Sequence, residues 1–512
     1  MHICIALHIC TVCCIMEKLK QSEKKANAME KLPKQTENFR KTCAFPKKDN
    51  GKSFVADFQK LPYFPVSFER GKGALLYDYD GKEYIDFLSS ASTANVGHGN
   101  EEIAEAVYSQ MNKITQYCCA YFPMPEEERL SKKLIELTGE DDMQAAYSNC
   151  GSEAIDCAMK LARAYTGRNR IISYKESYHG STYGAMSISA ISVNMRKNMG
   201  SLVPDAYHVG YPNCFRCKYS KSECGLKNRC AERMKESCDG FGAGLNGDSL
   251  KGENFNCLDE LTEAFEQYIP PEEVAAIFIE PIGGDMGIVV PPKEYMQKLQ
   301  ELCRKYGILL VADEIQQGLC RTGKWFSYEH FGIKPDIIVL GKSVGGGLPM
   351  GVTLAKREIM QSLSAPAHVF TMSGHSAVCV AGLKQLEIFE REDMNEQVAQ
   401  KGRYLKRKLF ELAEKYDFVG QVRGEGLSLG VEIVDSRETR NRDCKAAAKI
   451  SYRCMQNGLL LTFIGKNTLR IQPPLVITKE QLDRAVEILF AAFDSFARGE
   501  IDDSALFVVK GW

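Results

Sequence analysis

The chain has 512 residues, with 65 Lys+Arg against 66 Asp+Glu, 44% apolar residues and 20 cysteines. A 26% charged fraction excludes a disordered or fibrous chain, and a formal net charge of −1 offers no basic field to nucleic acid and no pull toward anionic membranes. The cysteines fall mostly one at a time along a long chain, which excludes the dense disulfide framework of a small secreted domain and points to reduced, cytoplasmic thiols.

In chain order, residues 1–16 (MHICIALHICTVCCIM) are apolar but too short to span a bilayer, and they lack the basic region and small-residue cleavage site of a signal peptide. Lys-, Gln- and Asn-rich sequence follows to about residue 55, so 1–60 reads as an extension, either a solvated tail or a misassigned start with Met16 and Met29 as alternatives. In "GALLYDYDGKEYIDFLSS" two strand-like runs flank Asp80-Gly81, a hairpin signal, within a 61–105 segment assigned to a smaller domain. Residues 106–385 read as a large α/β domain in which apolar strands alternate with amphipathic helices, interrupted by a Cys-rich insertion at 211–256. The runs Val274–Ile279, Ile308–Ala312 and Ile337–Leu340 are short and nearly all apolar, as buried parallel strands require. From 386 to 512 the texture changes. A charged helix over 397–416 leads into "VRGEGLSLGVEIV" and then "LLLTFIGKNTLRIQPPLVIT", the pattern of an α+β domain returning to join the 61–105 segment.

Each of the three buried strands stops at an ionisable residue: Glu280, Asp313 and Lys342. Ligands of open α/β sheets sit outside the carboxyl ends of strands, so these three are expected to meet at one site. Lys342 precedes the loop Ser343-Val344-Gly345-Gly346-Gly347, and a lysine in a partly apolar site gains nucleophilicity through a lowered pKa. Asp313 ends "GILLVAD", where burial calls for a cation or strong donor, as a pyridinium nitrogen would be. Gly151-Ser152 opens the helix in "SNCGSEAIDCAMKLARAY", and free N–H groups at such a start attract phosphate. Singly, each has an ordinary reading as a strand end or cap. Together they point to pyridoxal 5'-phosphate (PLP).

The stretch "LLVADEIQQGLCRTGKWFSYEHFGIKPDIIVLGKSVGGGLPMG" closely resembles the signature of class III aminotransferases, and "SNCGSEA", "SYHGSTYG", "FIEPIGG" and "LRIQPPL" fall in family order from about residue 62 onward. The resemblance implies the PLP-dependent transferase fold type I, with a mostly parallel sheet in the large domain and a smaller C-terminal α+β domain. It implies that Lys342 forms the Schiff base and moves the Cα proton, that Asp313 meets the pyridine nitrogen and that Gln316 meets the phenolic oxygen. By the same resemblance Gly151 and Ser152 hold the phosphate, Tyr178 stacks on the ring beside Gly180, and Glu280 belongs to the cofactor wall. Thr371 is expected to reach the phosphate of a neighbouring subunit, in a homodimer or homotetramer, although the family's usual "GNP" after it is Gly374-His375-Ser376 here. Arg470 is expected to fork onto the substrate carboxylate.

The family holds both transaminases and racemases. Where 4-aminobutyrate transaminases follow "YHG" with Arg, this chain has Ser181, and where they place a Glu five positions after the acid of "IEP", it has Asp285. Both departures, with "ASTANVGH", "ARAYTGR", "MQSLSAPAHVFT" and the ending Gly511-Trp512, are similar to isoleucine 2-epimerase and broad amino-acid racemases. Inversion needs an acid or base on each face of Cα, so Asp285 is the expected partner of Lys342, or else the residue that orients Arg470. An epimerase is favoured, with an aminotransferase using 4-aminobutyrate or another amino acid and 2-oxoglutarate or pyruvate as the alternative, and a non-catalytic PLP-binding protein as a third. Finally, Cys214-x2-Cys217 with Cys224, Cys230 and Cys238 has ligand-like spacing for zinc or an iron–sulfur cluster, against a plain loop of reduced cysteines.

Overall fold

Three sheets organise the chain in a computed structural model that describes residues 54–61, 63–217 and 257–511. The first two elements of the N-terminal sheet are β1 (Phe68–Lys72) and β2 (Leu75–Asp78), and β3 (Glu83–Asp86) returns antiparallel to β2 through the Asp80-Gly81 turn. The register pairs Leu75 with Ile85 and Tyr77 with Glu83, as the hairpin signal predicts.

The large sheet has seven strands: β4 (Met143–Ser148), β5 (Arg170–Tyr174), β6 (Ala206–Val209), β7 (Val274–Ile279), β8 (Leu309–Asp313), β9 (Ile337–Leu340) and β10 (Gly351–Lys356). Their order is β4-β10-β9-β8-β7-β5-β6, with every pair from β9 to β6 parallel and β10 antiparallel to both neighbours. All of Val274–Ile279, Leu309–Asp313 and Ile337–Leu340 is buried, since these central strands carry helices on both faces. One covering helix, Gly151–Thr166, turns Ala154, Ile155, Ala158, Met159 and Ala162 inward, the three alanines letting it lie close on the sheet.

The C-terminal sheet is formed by β11 (Val419–Glu425), β12 (Ser428–Ile433), β14 (Thr462–Ile464) and β15 (Thr468–Ile471), in the order β11-β12-β15-β14 and antiparallel throughout. The remaining strand, β13 (Leu459–Leu460), pairs parallel with β3, so the C-terminal part reaches back to the N-terminal sheet. The charged helix spans Met394–Lys415, three residues earlier at its start than the sequence pattern suggests, because it begins directly after the left-handed Asp393. Among the described residues, no helix is long and apolar enough to cross a membrane.

Candidate active site

Because β4 and β5 to β9 run the same way while β10 runs against them, six chain crossings open at one end of the sheet. They bound a cavity of about 310 Å³. Asn149–Ser152 enter it after β4, Tyr178–Gly180 after β5, Glu280 and Asp285 after β7, Asp313 and Gln316 from β8 onward, Lys342 after β9, and Leu348–Met350 ahead of β10. The strand-end reasoning is thereby realised: Glu280, Asp313 and Lys342 line one space.

Lys342 sits half-buried with its backbone at φ +48°, a left-handed conformation that costs a non-glycine residue on the order of 1–3 kcal/mol. Its neighbours hold the turn in place: the Asn95 amide donates to Ser343 Oγ at 3.2 Å, and the Gln385 amide donates to the Ser343 carbonyl at 2.7 Å. Burial pushes the lysine's pKa down, Asp285 pulls it back up, and Arg470 lowers it while Asp313 and Glu280 raise it. Those four charged groups are what the amine faces, and among the described residues none of them bonds it.

Asp313, 4% exposed, accepts from the Ile315 amide at 3.0 Å on one oxygen and meets His179 Nδ1 at 2.7 Å on the other. His179 Nε2 lies 3.1 Å from Ser173 Oγ, so the ring is pinned at both nitrogens and fixes the carboxylate's direction. Glu280 accepts from the Tyr178 amide at 3.1 Å and from the Gly284 amide at 2.7 Å. Burial pushes its carboxyl above the ordinary range, His179 opposes that, and Asp313 adds to it. On the β4 and β5 side of the cavity, Ser152 Oγ accepts from the Ser181 amide at 3.1 Å and packs beneath Gly180, whose φ is +139°. A Cβ there would lie 2.2 Å from that hydroxyl oxygen, so no side chain fits.

Asp285, buried on the loop after β7, accepts on Oδ1 from Arg470 Nη1 at 2.9 Å and from the Gln316 amide at 3.4 Å. Arg470 also reaches Thr462 Oγ1 at 3.2 Å and stands behind Asp285, outside the cavity lining. Thr371 is not at the cavity either: it is exposed on a separate surface, with its carbonyl 3.5 Å from the Gln116 amide. Cys214 and Cys217 flank a short 3₁₀ turn, whereas Cys224, Cys230 and Cys238 lie outside the described residues. Among the described residues, no group of three or more His, Cys, Asp or Glu is placed to hold a metal ion.

Sequence reasoning missed His179, although it stands inside the quoted "SYHGSTYG". A polar residue next to Tyr178, which the resemblance already placed at the site, was the available signal. It also missed Thr93, Gln317 and Leu348–Met350 as lining residues. The last three precede an antiparallel strand, whose direction no local pattern reveals.

Residues 59–493 match the model of the family described as aminotransferase class-III. The chain is 38% identical to a leucine/methionine racemase of Thermococcus litoralis over 453 residues, which is 88% of this chain and 96% of that protein. It is also 38% identical to an isoleucine 2-epimerase of Lentilactobacillus buchneri over 455 residues, 88% of this chain and 95% of that one. Among solved structures it resembles an amine transaminase from an uncultivated Pseudomonas species in its PLP-bound form, with a TM-score of 0.74, 27% identity, and coverage of 88% of this chain and 99% of the other.

Proposed function

The chain belongs to the class III aminotransferase family, and from that membership we propose that it is a PLP-dependent racemase or epimerase inverting Cα of apolar amino acids. The cavity's shape supports the cofactor. At one end the helix start at Gly151 lines the cavity beside Ser152 and Gly180, the two glycines packed too close to Ile315 and Ser152 to carry a Cβ, and this end suits phosphate on backbone N–H groups. At the other end a buried carboxylate, Asp313, is aimed by His179 and suits a protonated ring nitrogen. Gly151, Ser152, Tyr178, Gly180, Glu280, Asp313, Gln316 and Lys342 are the residues proposed to hold PLP. When bound, PLP supplies an electron sink for the charge left as a Cα–H bond breaks.

The rest is the work of side chains. Lys342, its amine unengaged and its pKa lowered by burial, takes or returns the Cα proton on one face. Asp285 serves the other face. Its Oδ1 is tied to Arg470 and Gln316, while no hydrogen bond among the described residues engages Oδ2. The observation that carries the proposal is this pairing: Asp285 and Lys342, from the loops after β7 and β9, line one cavity, and Asp285 is the strongest favourable charge felt by Lys342. Ser181, its hydroxyl 3.2 Å from that of Tyr178, offers no cation to a distal carboxylate, which suits an apolar side chain. Arg470 is proposed to meet the substrate carboxylate, exchanging one carboxylate partner for another.

Thr371 is proposed to serve the cofactor phosphate of a second subunit. Its exposure beside Val369 and Met372, both about half exposed and apolar, supports a homodimer or homotetramer. One observation favours the aminotransferase reading instead: Asp285 already bonds Arg470, which is what a residue that only orients the arginine would do. Chiral chromatography of an L-aliphatic amino acid, with and without 2-oxoglutarate, separates the two. The proposal expects the D- or allo-isomer without any acceptor; turnover that appears only with the acceptor favours transamination.

A further inference from the structure

The loop carrying Asp285 is closed on itself. Gly283 and Val289 pair as an antiparallel bridge at 2.8 and 2.9 Å, and the Gly287 amide donates to the Gly284 carbonyl at 3.0 Å. Such a loop has a definite shape, but its direction depends on what grips it from outside. Two grips come from one short segment, residues 211–217, which contains the Cys214-x2-Cys217 turn.

The first grip is at the loop's root. The Tyr211 hydroxyl donates to the Glu280 carbonyl at 2.8 Å. The second reaches the tip through a charge relay. Arg216 Nε donates to Glu432 Oε1 at 2.6 Å and Nη1 to the Arg440 carbonyl at 3.0 Å. Glu432, on β12 and 1% exposed, pairs through its other oxygen with Arg423 Nη1. Arg423 in turn donates from Nε to the Gly287 carbonyl at 2.8 Å and from Nη2 to Thr468 Oγ1 at 3.1 Å. Gly287, at φ +114°, must stay bare, because a Cβ there would meet Arg423 Nη2 at 2.7 Å. On the neighbouring strand β15, Thr468 pairs with Glu432 and Arg470 with Gly430, so the sheet that holds the relay also holds the arginine bonded to Asp285. Phe215, 7% exposed, seats the segment against the same sheet, with the Arg440 guanidinium 5.1 Å from its ring.

We infer that Tyr211–Cys217 braces the Asp285 loop, and that Arg216, Glu432 and Arg423 are positioning residues that aim Asp285 at the cavity. The residue that matters in the Cys-x2-Cys turn is the arginine inside it. Without Arg216, Glu432 Oε1 loses its guanidinium contacts and keeps the Asn467 amide at 3.3 Å, so the carboxylate is freer to turn and Arg423, still paired with it, can shift too. Displacing a catalytic group by about 1 Å lowers a rate by up to ~100-fold. The inference rests on the second-face role proposed for Asp285.

The test compares wild type, Arg216→Gln, Arg216→Lys and Asp285→Asn as PLP-loaded enzymes in D2O, with the stereochemistry and α-deuterium of one aliphatic amino acid as the first readout. Arg216→Gln is expected to lower inversion about 10- to 100-fold relative to α-hydrogen exchange with retention, which Lys342 performs alone. Arg216→Lys, keeping the charge but losing the fork, is expected to lie between that variant and wild type. The second readout is the pH titration of the bound cofactor's absorbance. The Lys342 nitrogen faces Asp285, Asp313, Glu280 and Arg470. Removing or displacing the Asp285 charge is therefore expected to move the midpoint to lower pH, strongly in Asp285→Asn and in the same direction in Arg216→Gln.

A folded Arg216→Gln variant with wild-type inversion-to-exchange ratio and midpoint overturns the brace. If that variant fails to fold, Arg216→Lys decides: a ratio below wild type supports the brace and a wild-type ratio overturns it. A wild type that exchanges but never inverts overturns the second-face role of Asp285. The brace is then judged on the midpoint alone, supported by a shift and overturned by none.

Discussion

The two walls of the cavity are built by different means. One is the carboxyl edge of the large sheet, where Glu280 follows β7, Asp313 closes β8 and Lys342 opens the turn two residues after β9. The other is the Asp285 loop, which belongs to no strand and is held from outside by Arg470, Arg423 and residues 211–217. The first wall carries the residues proposed to hold the cofactor and to take the Cα proton. The second sits where the C-terminal sheet meets the large one, and it touches the first through the Gln316 amide on Asp285 and the Tyr211 hydroxyl on Glu280. Under the proposed function the difference between the walls divides the work: proton removal at Cα rests on the sheet edge, and the stereochemical outcome rests on the junction.

The largest effect is expected from breaking the first wall. Lys342→Ala should lower both α-hydrogen exchange and inversion by about 10⁴-fold, the upper range for a positioned acid–base group, measured by deuterium incorporation. Loss of one activity alone would mean that the walls do not divide the work as described. Asp285→Asn should separate them, lowering inversion by about 10²- to 10³-fold while exchange with retention at one enantiomer persists. Equal loss of both would place Asp285 with the common chemistry. Gly180→Ala should weaken PLP binding by about tenfold or more, because the new methyl meets Ser152 Oγ at 2.2 Å in a backbone conformation that strains alanine by roughly 1–3 kcal/mol, and titration of apoenzyme with PLP measures it.

The smallest effect is a pH dependence confined to the junction. Burial pushes the Glu432 carboxyl up, but Arg423 and Arg216 outweigh burial and hold it below its ordinary value. A carboxyl with a depressed folded pKa contributes stability above the unfolded value of about 4.3, and that contribution is lost as pH falls through the folded value. Arg216→Gln should therefore lower stability to denaturant near neutrality, with the gap from wild type shrinking as pH falls through the folded value, as followed by circular dichroism of urea unfolding. A gap that does not change with pH would show that the pair carries no net stability.

The contrast between the walls also explains what could be read in the sequence. Glu280, Asp313 and Lys342 were legible because a charged residue closing an apolar run is a local signal, and their convergence follows from parallel strands. The hairpin at Asp80-Gly81 was legible for the same local reason. Strand β10 was not: "GVTLAK" is buried along nearly its whole length and has the texture of its parallel neighbours, so its reversed direction, and the lining role of Leu348–Met350, left no trace. Arg216 and Glu432 are partners 216 positions apart, and Arg216 lies in a motif whose spacing drew attention to the cysteines beside it. Asp285 stood out as a departure from the transaminase pattern, but its bond to Arg470 needed the fold to be seen.

The most direct test of two-faced proton transfer is to incubate the PLP-loaded wild-type enzyme with one enantiomer of an aliphatic amino acid in D2O, with no 2-oxo acid present. The opposite configuration should accumulate carrying deuterium at Cα, with no keto product. Recovery of only the starting configuration, with amino-group loss that requires an added 2-oxo acid, would contradict it.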